Sequence, residues 1–134
     1  MTEEGVVQWT SPDKKHVAKW RWGGELWMSG PEWGWLAIGE GPEIKGALPD
    51  VLWSDDGAFL AFVKLHIEDV PTRQGVEGYS FRIGVLRISD FALRYCGGNR
   101  KLTALSLKSM TKQSLTVSVE GQETPIDLGK IHWN

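Results

Sequence analysis

Side chains of the types that carry out acid–base or nucleophilic chemistry do not stand together in this sequence. The three histidines, His16, His66 and His132, are far apart, and none has a second histidine or a cysteine at metal-ligand spacing. No Gly-x-Ser-x-Gly motif is present to support a serine nucleophile. Each histidine lies in or beside a predicted strand, where a hydrogen-bonded structural histidine is commoner than a metal ligand.

Two pairs of neighbouring acids resemble the paired carboxylates of acid–base catalysts. Asp55-Asp56 precedes a glycine and is better explained as the cap of a tight turn. Glu68-Asp69 falls in a predicted loop, where solvated acids are much commoner than a general acid. Cys96 has arginines nearby in sequence, but a small, buried apolar role is the simpler expectation. We therefore predict a non-enzymatic protein with no cofactor and no metal site.

Tryptophan is the unusual component, with eight residues against four phenylalanines and two tyrosines. The spacing of two of its pairs, W-R-W and W-G-W, places both indoles of each pair on one face of a strand. A small core buries two or three such rings, whereas exposed tryptophans are typical binding hot spots. We predict that a partner contacts Glu68, Asp69 and five tryptophans that fall within sixteen residues: Trp20, Trp22, Trp27, Trp33 and Trp35.

The remaining pattern indicates strands and almost no helix. Apolar alternation predicts strands from Phe59 to Ile67, from Tyr79 to Ser89 and from Ser114 to Val119. The first of these is apolar on both faces at its start, which is typical of a strand buried on both sides. The connection from Glu68 to Gly78 contains a proline and two glycines and is too long for a tight turn, so we expect an exposed loop.

Glycine-rich segments predict the breaks between strands. The stretch from Gly39 to Asp50 is predicted to be a loop that links a first structural unit to a second. Gly97-Gly98-Asn99 and Glu120-Gly121-Gln122 are predicted to be turns, because glycine and asparagine tolerate the backbone angles that turns require.

Two stretches 43 positions apart are nearly the same. Ser11-Pro12-Asp13 and Ser54-Asp55-Asp56-Gly57 each follow a tryptophan at a short distance and each lead into a strand. The pair resembles the repeat of TolB-like β-propellers, whose blades carry a Trp-Ser-Pro-Asp-Gly turn before an apolar strand. A third copy, beginning near Cys96, keeps only the turn residues. A period of about 40 to 45 residues is that of a four-stranded propeller blade.

The resemblance implies an all-β fold of antiparallel meander sheets in one domain, residues 1–134. About three propeller-blade-like units are expected, at roughly 6–48, 49–92 and 93–134. Since closed propellers usually need about 4 to 8 blades, we expect an incomplete propeller or an irregular sandwich, or else a homodimer that joins exposed sheet edges. The resemblance carries fold information rather than function, because propellers host unrelated activities.

Charge is distributed unevenly along the chain. Residues 40–79 hold eight acids and three bases, whereas residues 80–112 hold seven bases and one acid. Either the two segments compensate each other across neighbouring strands, which we favour, or they form a dipole that steers a charged partner. The sequence pI of about 5.9 argues against nucleic-acid binding.

Composition also bears on location. No apolar run approaches the roughly 20 residues that span a bilayer, so we expect no membrane contact. The single cysteine excludes an internal disulfide, which agrees with a cytoplasmic location.

These features favour a module that binds another protein. With no reaction centre, a tryptophan-rich first unit and segregated charge, the chain is typical of an inhibitor or an immunity protein that blocks a bacterial toxin. The alternative is a small-ligand or carbohydrate-binding domain that stacks its ligand on Trp33 and Trp35.

Overall fold

The structure is a computed structural model, and it describes residues 6–25, 32–67, 79–100, 105–119 and 121–131. In these ranges the chain forms ten strands and one short 3-10 helix, Leu128–Lys130. The strands are β1 (Val6–Thr10), β2 (Val17–Glu25), β3 (Glu32–Ile38), β4 (Ile44–Trp53), β5 (Phe59–Ile67), β6 (Tyr79–Arg87), β7 (Ala92–Arg100), β8 (Leu105–Met110), β9 (Ser114–Val119) and β10 (Gln122–Asp127).

The strands form two antiparallel sheets in which neighbours in sequence are neighbours in space. Strands β1 to β7 follow one another in a seven-stranded sheet, and β8, β9 and β10 form a three-stranded sheet. The all-β, antiparallel prediction is therefore confirmed. None of the described residues forms an α-helix, and no described helix is long and apolar enough to cross a membrane.

Strand β4 divides the large sheet into two parts. Its first residues pair with β3, with Ile44 opposite Leu36, and its last residues pair with β5, with Val51 opposite Phe62. The β4–β5 register shifts between Ala47 and Val51, a stretch that contains Pro49, which has no N–H to donate to the ladder. The side chains of β2 and β3 therefore pack against those of β5 and β6 in what we call the first core.

Strand β5 contributes to two cores at once. Its side chains at Leu60 and Phe62 lie in the first core, while those at Ala61 and Val63 lie in a second core against β8 and β9. All four are fully buried. The molecule therefore has three layers: an outer layer from β1 to the start of β4, a middle layer from the end of β4 to β7, and the three-stranded sheet. The prediction of a strand buried on both faces is confirmed.

Two predicted breaks are wrong. The loop predicted from Gly39 to Asp50 ends early, since β4 begins at Ile44, and Gly46 takes a positive φ of 92° inside that strand. The turn predicted at Gly97-Gly98-Asn99 lies within β7. The β6–β7 register shifts beside it, between the pairs that Phe81 and Ile83 form. In both places, glycines that the sequence presented as turn residues lie instead where a strand changes register.

The predicted turn around Gly121 is confirmed. This glycine connects β9 to β10 with a φ of 82°. In β9 the apolar Leu115 and Val117 are buried in the second core, as the alternation of apolar and hydroxyl residues in that segment indicates.

Candidate functional site

The two similar stretches of sequence form turns with the same hydrogen bonds. In the first, the Ser11 hydroxyl donates to Asp13 and accepts from the His16 N–H at 3.1 Å. In the second, the Ser54 hydroxyl donates to Asp56 at 2.7 Å and accepts from the Phe59 N–H at 3.0 Å. The Ser11 hydroxyl lowers the pKa of Asp13, and the pKa of Asp56 is lowered by the Ala58 N–H, which it accepts at 3.0 Å, and then by the Ser54 hydroxyl. Each turn thus fixes the start of the strand that follows it, β2 in the outer layer and β5 in the middle layer.

The two turns also contact each other. The Trp53 indole N–H donates to the Trp9 carbonyl at 3.1 Å, and the His16 ring stacks on Trp53 at 6.4 Å between centroids. A Cβ atom added to Gly57 would lie 2.9 Å from the Asp13 carboxyl carbon, so the second turn leaves no room for a side chain there. The outer and middle layers are thereby held in a fixed relation at this edge.

The four predicted tryptophans that the structure describes are divided between the two faces of the outer layer. Trp20 and Trp22 alternate with Arg21 on β2, and Trp20 packs in the first core toward the middle layer. Trp20 is buried, with its indole N–H donating to the Ala47 carbonyl at 2.8 Å. Trp22 lies farther along the same strand face and is 46% exposed. Trp20 is therefore a core residue, whereas Trp22 is partly exposed to solvent.

Trp33 and Trp35 lie on the opposite face of β3, where Trp33 also packs against the second core. Trp35 pairs directly with Arg21 across β2 and β3, while the intervening Gly34 faces the buried Trp20. The two indoles meet edge to face, with 5.2 Å between ring centroids and an angle of 62° between planes. Both rings are half-buried. A single face of β3 thus presents two tryptophans that support each other.

A glycine on the neighbouring strand makes this pair of rings fit. A Cβ atom added to Gly23 would lie 2.6 Å from Trp33 and 2.8 Å from Trp35 ring atoms. The β2–β3 register shifts at this glycine, between Trp22 and Gly24. A side chain there would displace one or both indoles, so the sequence of β2 fixes where the two rings stand.

Positive side chains stand over both tryptophans. The Arg21 guanidinium lies 4.4 Å from the centre of the Trp35 ring, and the Lys45 ammonium lies 5.6 Å from that of Trp33, which are cation–π distances. Glu43 forms an ion pair with Arg21 at 3.2 Å. Lys19 is exposed on the same face of β2. We call the surface formed by Lys19, Arg21, Trp33, Trp35 and Lys45 the tryptophan face.

Cations and aromatic rings make up the chemistry of this surface. The tryptophan face offers cations and aromatic rings but no pair of titratable groups in proton-transfer contact. Burial raises the pKa of the Cys96 thiol to about 11, so this cysteine remains a protonated, half-buried side chain packed against the second core. Within the described ranges no group of three or more metal-ligating side chains comes together.

Two described acids of the acidic segment, Asp50 and Asp55, bond to the three-stranded sheet and its turn. Asp55 accepts a hydrogen bond from the Lys112 N–H at 3.2 Å, and Asp50 accepts one from the Leu107 N–H at 3.0 Å. Partial burial raises the pKa of Asp50. These bonds join the middle layer to the three-stranded sheet, a role that the sequence did not suggest. Asp56 closes the turn, as its sequence context predicted.

Of the seven predicted partner-contacting residues, the structure brings Trp33 and Trp35 together and separates them from Trp20 and Trp22. Trp27, Glu68 and Asp69 lie outside the described residues. Sequence reasoning missed the cations of the tryptophan face. The available signal was the placement of Arg21 between two tryptophans, since alternation puts it on the face opposite theirs.

Sequence reasoning also missed an aromatic and cationic group on the middle layer. Lys64 and Arg82 both lie near the ring of Tyr95, a residue that is 39% exposed. No spacing within the sequence connects these three residues, because they come from three different strands.

No protein-family model matches the chain, and no curated protein sequence is significantly similar to it. Among solved structures, a chain of the Kuenenia stuttgartiensis hydrazine synthase has a similar fold, with a TM-score of 0.61 over 90% of the present chain. The match covers 39% of the hydrazine synthase chain, and the sequences are 14% identical. At this identity the similarity concerns the fold alone.

Proposed function

We propose that the chain is a non-enzymatic protein-binding domain and that the tryptophan face is its recognition surface. The observation that carries this proposal is the pair of indoles at 5.2 Å with Arg21 stacked on one of them. Tryptophan and arginine are the residues most enriched among binding hot spots. Rings that already support each other lose little conformational freedom when a partner arrives, which favours affinity.

The charge of the surface suggests the kind of partner. Lys19, Arg21 and Lys45 border the tryptophans, with Glu43 as the nearby acid. A partner surface that carries carboxylates around an apolar centre would match both parts of the face. An inhibitor or immunity protein that covers the active site of a bacterial toxin is the specific form of this proposal.

The architectural part of the proposal concerns the repeat. We infer that the layers are blade-like units related to those of TolB-like propellers. Three features support this: the Ser11 and Ser54 turns close with the same hydrogen bonds, these turns contact each other, and the layers are antiparallel meanders. Such a stack would serve as a rigid frame that holds the tryptophan face in place.

The test compares two tryptophans that lie on opposite faces of the outer layer. The intact protein is used to enrich partners by cross-linking in lysate of the source organism, and the affinity for each purified partner is measured by calorimetry. Trp35→Ala is expected to weaken binding by roughly 30-fold, which corresponds to a hot-spot loss of about 2 kcal/mol. Trp22→Ala is the matched control and is expected to change affinity less than about twofold.

Two results would contradict the proposal. One is a partner that binds the Trp35→Ala and Arg21→Ala variants as tightly as the original protein, provided that circular dichroism shows both variants folded. The other is a saturable change in tryptophan fluorescence during titration with sugars, which would favour carbohydrate binding. Arg21 already occupies one face of the Trp35 ring, so we expect no response to sugars.

A further inference from the structure

The outer edge of β1 differs from the other sheet edges of the molecule. Among the described residues β1 pairs with β2 alone, at one end of the seven-stranded sheet. The other three edges carry features that hinder pairing with a further strand. Strand β7 contains two arginines and β10 contains Pro125, while on β8 the Leu107 N–H already donates to the Asp50 carboxylate at 3.0 Å. Strand β1, with the sequence V-V-Q-W-T, has neither a charge nor a proline. We call its outer side the open edge.

The pairing of β1 with β2 identifies the backbone groups at the open edge. In an antiparallel pair, hydrogen-bonded positions alternate with positions whose N–H and C=O point away from the partner strand. The Ser11 N–H donates to the His16 carbonyl at 2.9 Å, so the residues two and four positions before Ser11 also bond to β2. The N–H and C=O groups of the residues between them therefore point to the open edge. These residues are Val6, Gln8 and Thr10.

The side chains at this edge continue the tryptophan face. Val6 lies opposite Arg21 and Gln8 lies opposite Lys19, while Arg21 in turn lies opposite Trp35 on β3. Directly opposed residues of an antiparallel pair share a face of the sheet. Lys19 is exposed and forms no ion pair with any described residue. The open edge thus borders the proposed recognition surface on the side where a cation has no internal partner.

The two faces of the sheet at this edge suit different side chains. A strand added beside β1 would lie two strand spacings from β2, roughly 10 Å, which a lysine and a glutamate side chain can span together. Carboxylates on that strand could therefore meet Lys19 across β1. Val7 lies on the other face and is 39% exposed, so it can pack against apolar side chains. An extended segment that alternates acidic and apolar residues matches both faces.

We propose that a protein partner adds such a strand, with alternating acidic and apolar residues, to the open edge of β1. The inference rests on the proposed function in that it requires a protein partner. Main-chain hydrogen bonds to Val6, Gln8 and Thr10 supply affinity, and Lys19 selects for acidic side chains. A second copy of the chain fits less well, because β1 carries no acid that could meet Lys19.

The experiment titrates the intact, isotopically labelled protein with the peptide Thr-Glu-Val-Glu-Val-Glu-Thr, blocked at both ends, and follows backbone amide resonances. We expect saturable shifts at Val6, Gln8 and Thr10, with a Kd of roughly 0.1–1 mM. Slower hydrogen exchange is expected at the same amides, because the added strand accepts their hydrogen bonds. The control peptide has lysine in place of each glutamate and is expected to bind at least about fivefold more weakly.

Four variants separate strand pairing from general electrostatics. Gln8→Pro removes an outward N–H and leaves the β1–β2 ladder intact, so it is expected to weaken peptide binding by about tenfold or more. Gln8→Thr keeps that N–H and is expected to bind as the original protein does. Lys19→Gln is expected to weaken binding by about threefold. Lys108→Gln removes an exposed lysine on β8 and is expected to change nothing. If Gln8→Pro folds poorly, the comparison of Lys19→Gln with Lys108→Gln decides.

Three results would overturn the inference. The first is a set of shifts that rise linearly with peptide up to about 5 mM, well above the expected Kd. The second is equal peptide affinity in the original protein and in a folded Gln8→Pro variant, or in Lys19→Gln and Lys108→Gln. The third is a dimer in sedimentation equilibrium that Gln8→Pro abolishes, which would assign the open edge to a second copy of the chain.

Failure of this inference is distinguishable from failure of the proposed function. A purified partner that binds Trp35→Ala more weakly, but Gln8→Pro as tightly as the original protein, supports the tryptophan face and overturns strand addition. A partner that is weakened by Gln8→Pro and not by Trp35→Ala contradicts the tryptophan face and supports strand addition.

Discussion

Strands β2 and β5 begin after equivalent turns but lie in different surroundings. On β2, Trp20 is buried while Arg21 is exposed, so one face meets the protein and the other meets solvent. On β5, successive side chains such as Phe62 and Val63 are both fully buried. The difference arises because β5 lies between two layers and β2 lies in an outer one. A turn therefore fixes where a strand starts, whereas the layers around a strand fix which of its faces are available for binding.

The largest expected effect tests this difference in burial. Phe62→Ala removes a ring that is fully buried between layers, and we expect it to lower the free energy of unfolding by about 3–5 kcal/mol. Trp22→Ala removes a larger ring that is 46% exposed on β2, and we expect a smaller loss, of about 1–2 kcal/mol. Urea denaturation followed by circular dichroism measures both. Equal losses would show that β2 and β5 are buried alike.

A smaller effect tests whether the two turns are equivalent. Ser54→Ala removes a hydroxyl that is buried and bonded to both Asp56 and the Phe59 N–H. An unsatisfied buried N–H costs about 1–3 kcal/mol, and we expect that loss of unfolding free energy. Ser11→Ala is expected to cost the same within about 0.5 kcal/mol, since its bonds are the same. A much smaller loss for Ser11→Ala in urea denaturation would mean that only the second turn organises its hairpin.

Much of the fold could be predicted because its signals are local. The apolar pattern of Phe59–Ile67 indicates burial on two faces. The Ser-x-Asp pattern at Ser54 indicates a turn that closes within six residues. The errors came from glycines. Gly46 and the glycines near Cys96 lie where strands shift register, and a register shift depends on the partner strand, which sequence periodicity does not contain.

The candidate site was less predictable, for a related reason. Alternation correctly placed Trp33 and Trp35 on one face, but nothing local showed that this face is opposite to that of Trp20. The relative facing of two strands follows from their register, which the shift at Gly23 and the pairing of Arg21 with Trp35 determine. A group of three residues is harder still to predict from sequence, because its members come together only when three strands align. These residues are Lys64, Arg82 and Tyr95.

The smallest expected effect concerns a turn position at which the two copies differ in backbone strain. Lys14 and Gly57 both have a positive φ, 62° and 75°, although only glycine adopts this conformation without strain. Lys14→Gly relieves that strain, about 1–2 kcal/mol, but adds freedom to the unfolded chain, so we expect a net gain in unfolding free energy of only about 0.5 kcal/mol.

The reverse change gives this last comparison its control. Gly57→Lys introduces the strain and places a Cβ atom 2.9 Å from the Asp13 carboxyl carbon, so a clear loss of stability is expected. Thermal denaturation of both variants measures these changes in stability. If Gly57→Lys is as stable as the original protein, the two turns do not meet as closely as the contact between Gly57 and Asp13 indicates. The outer layer would then be free to shift on the middle one, and the tryptophan face would lose its rigid support.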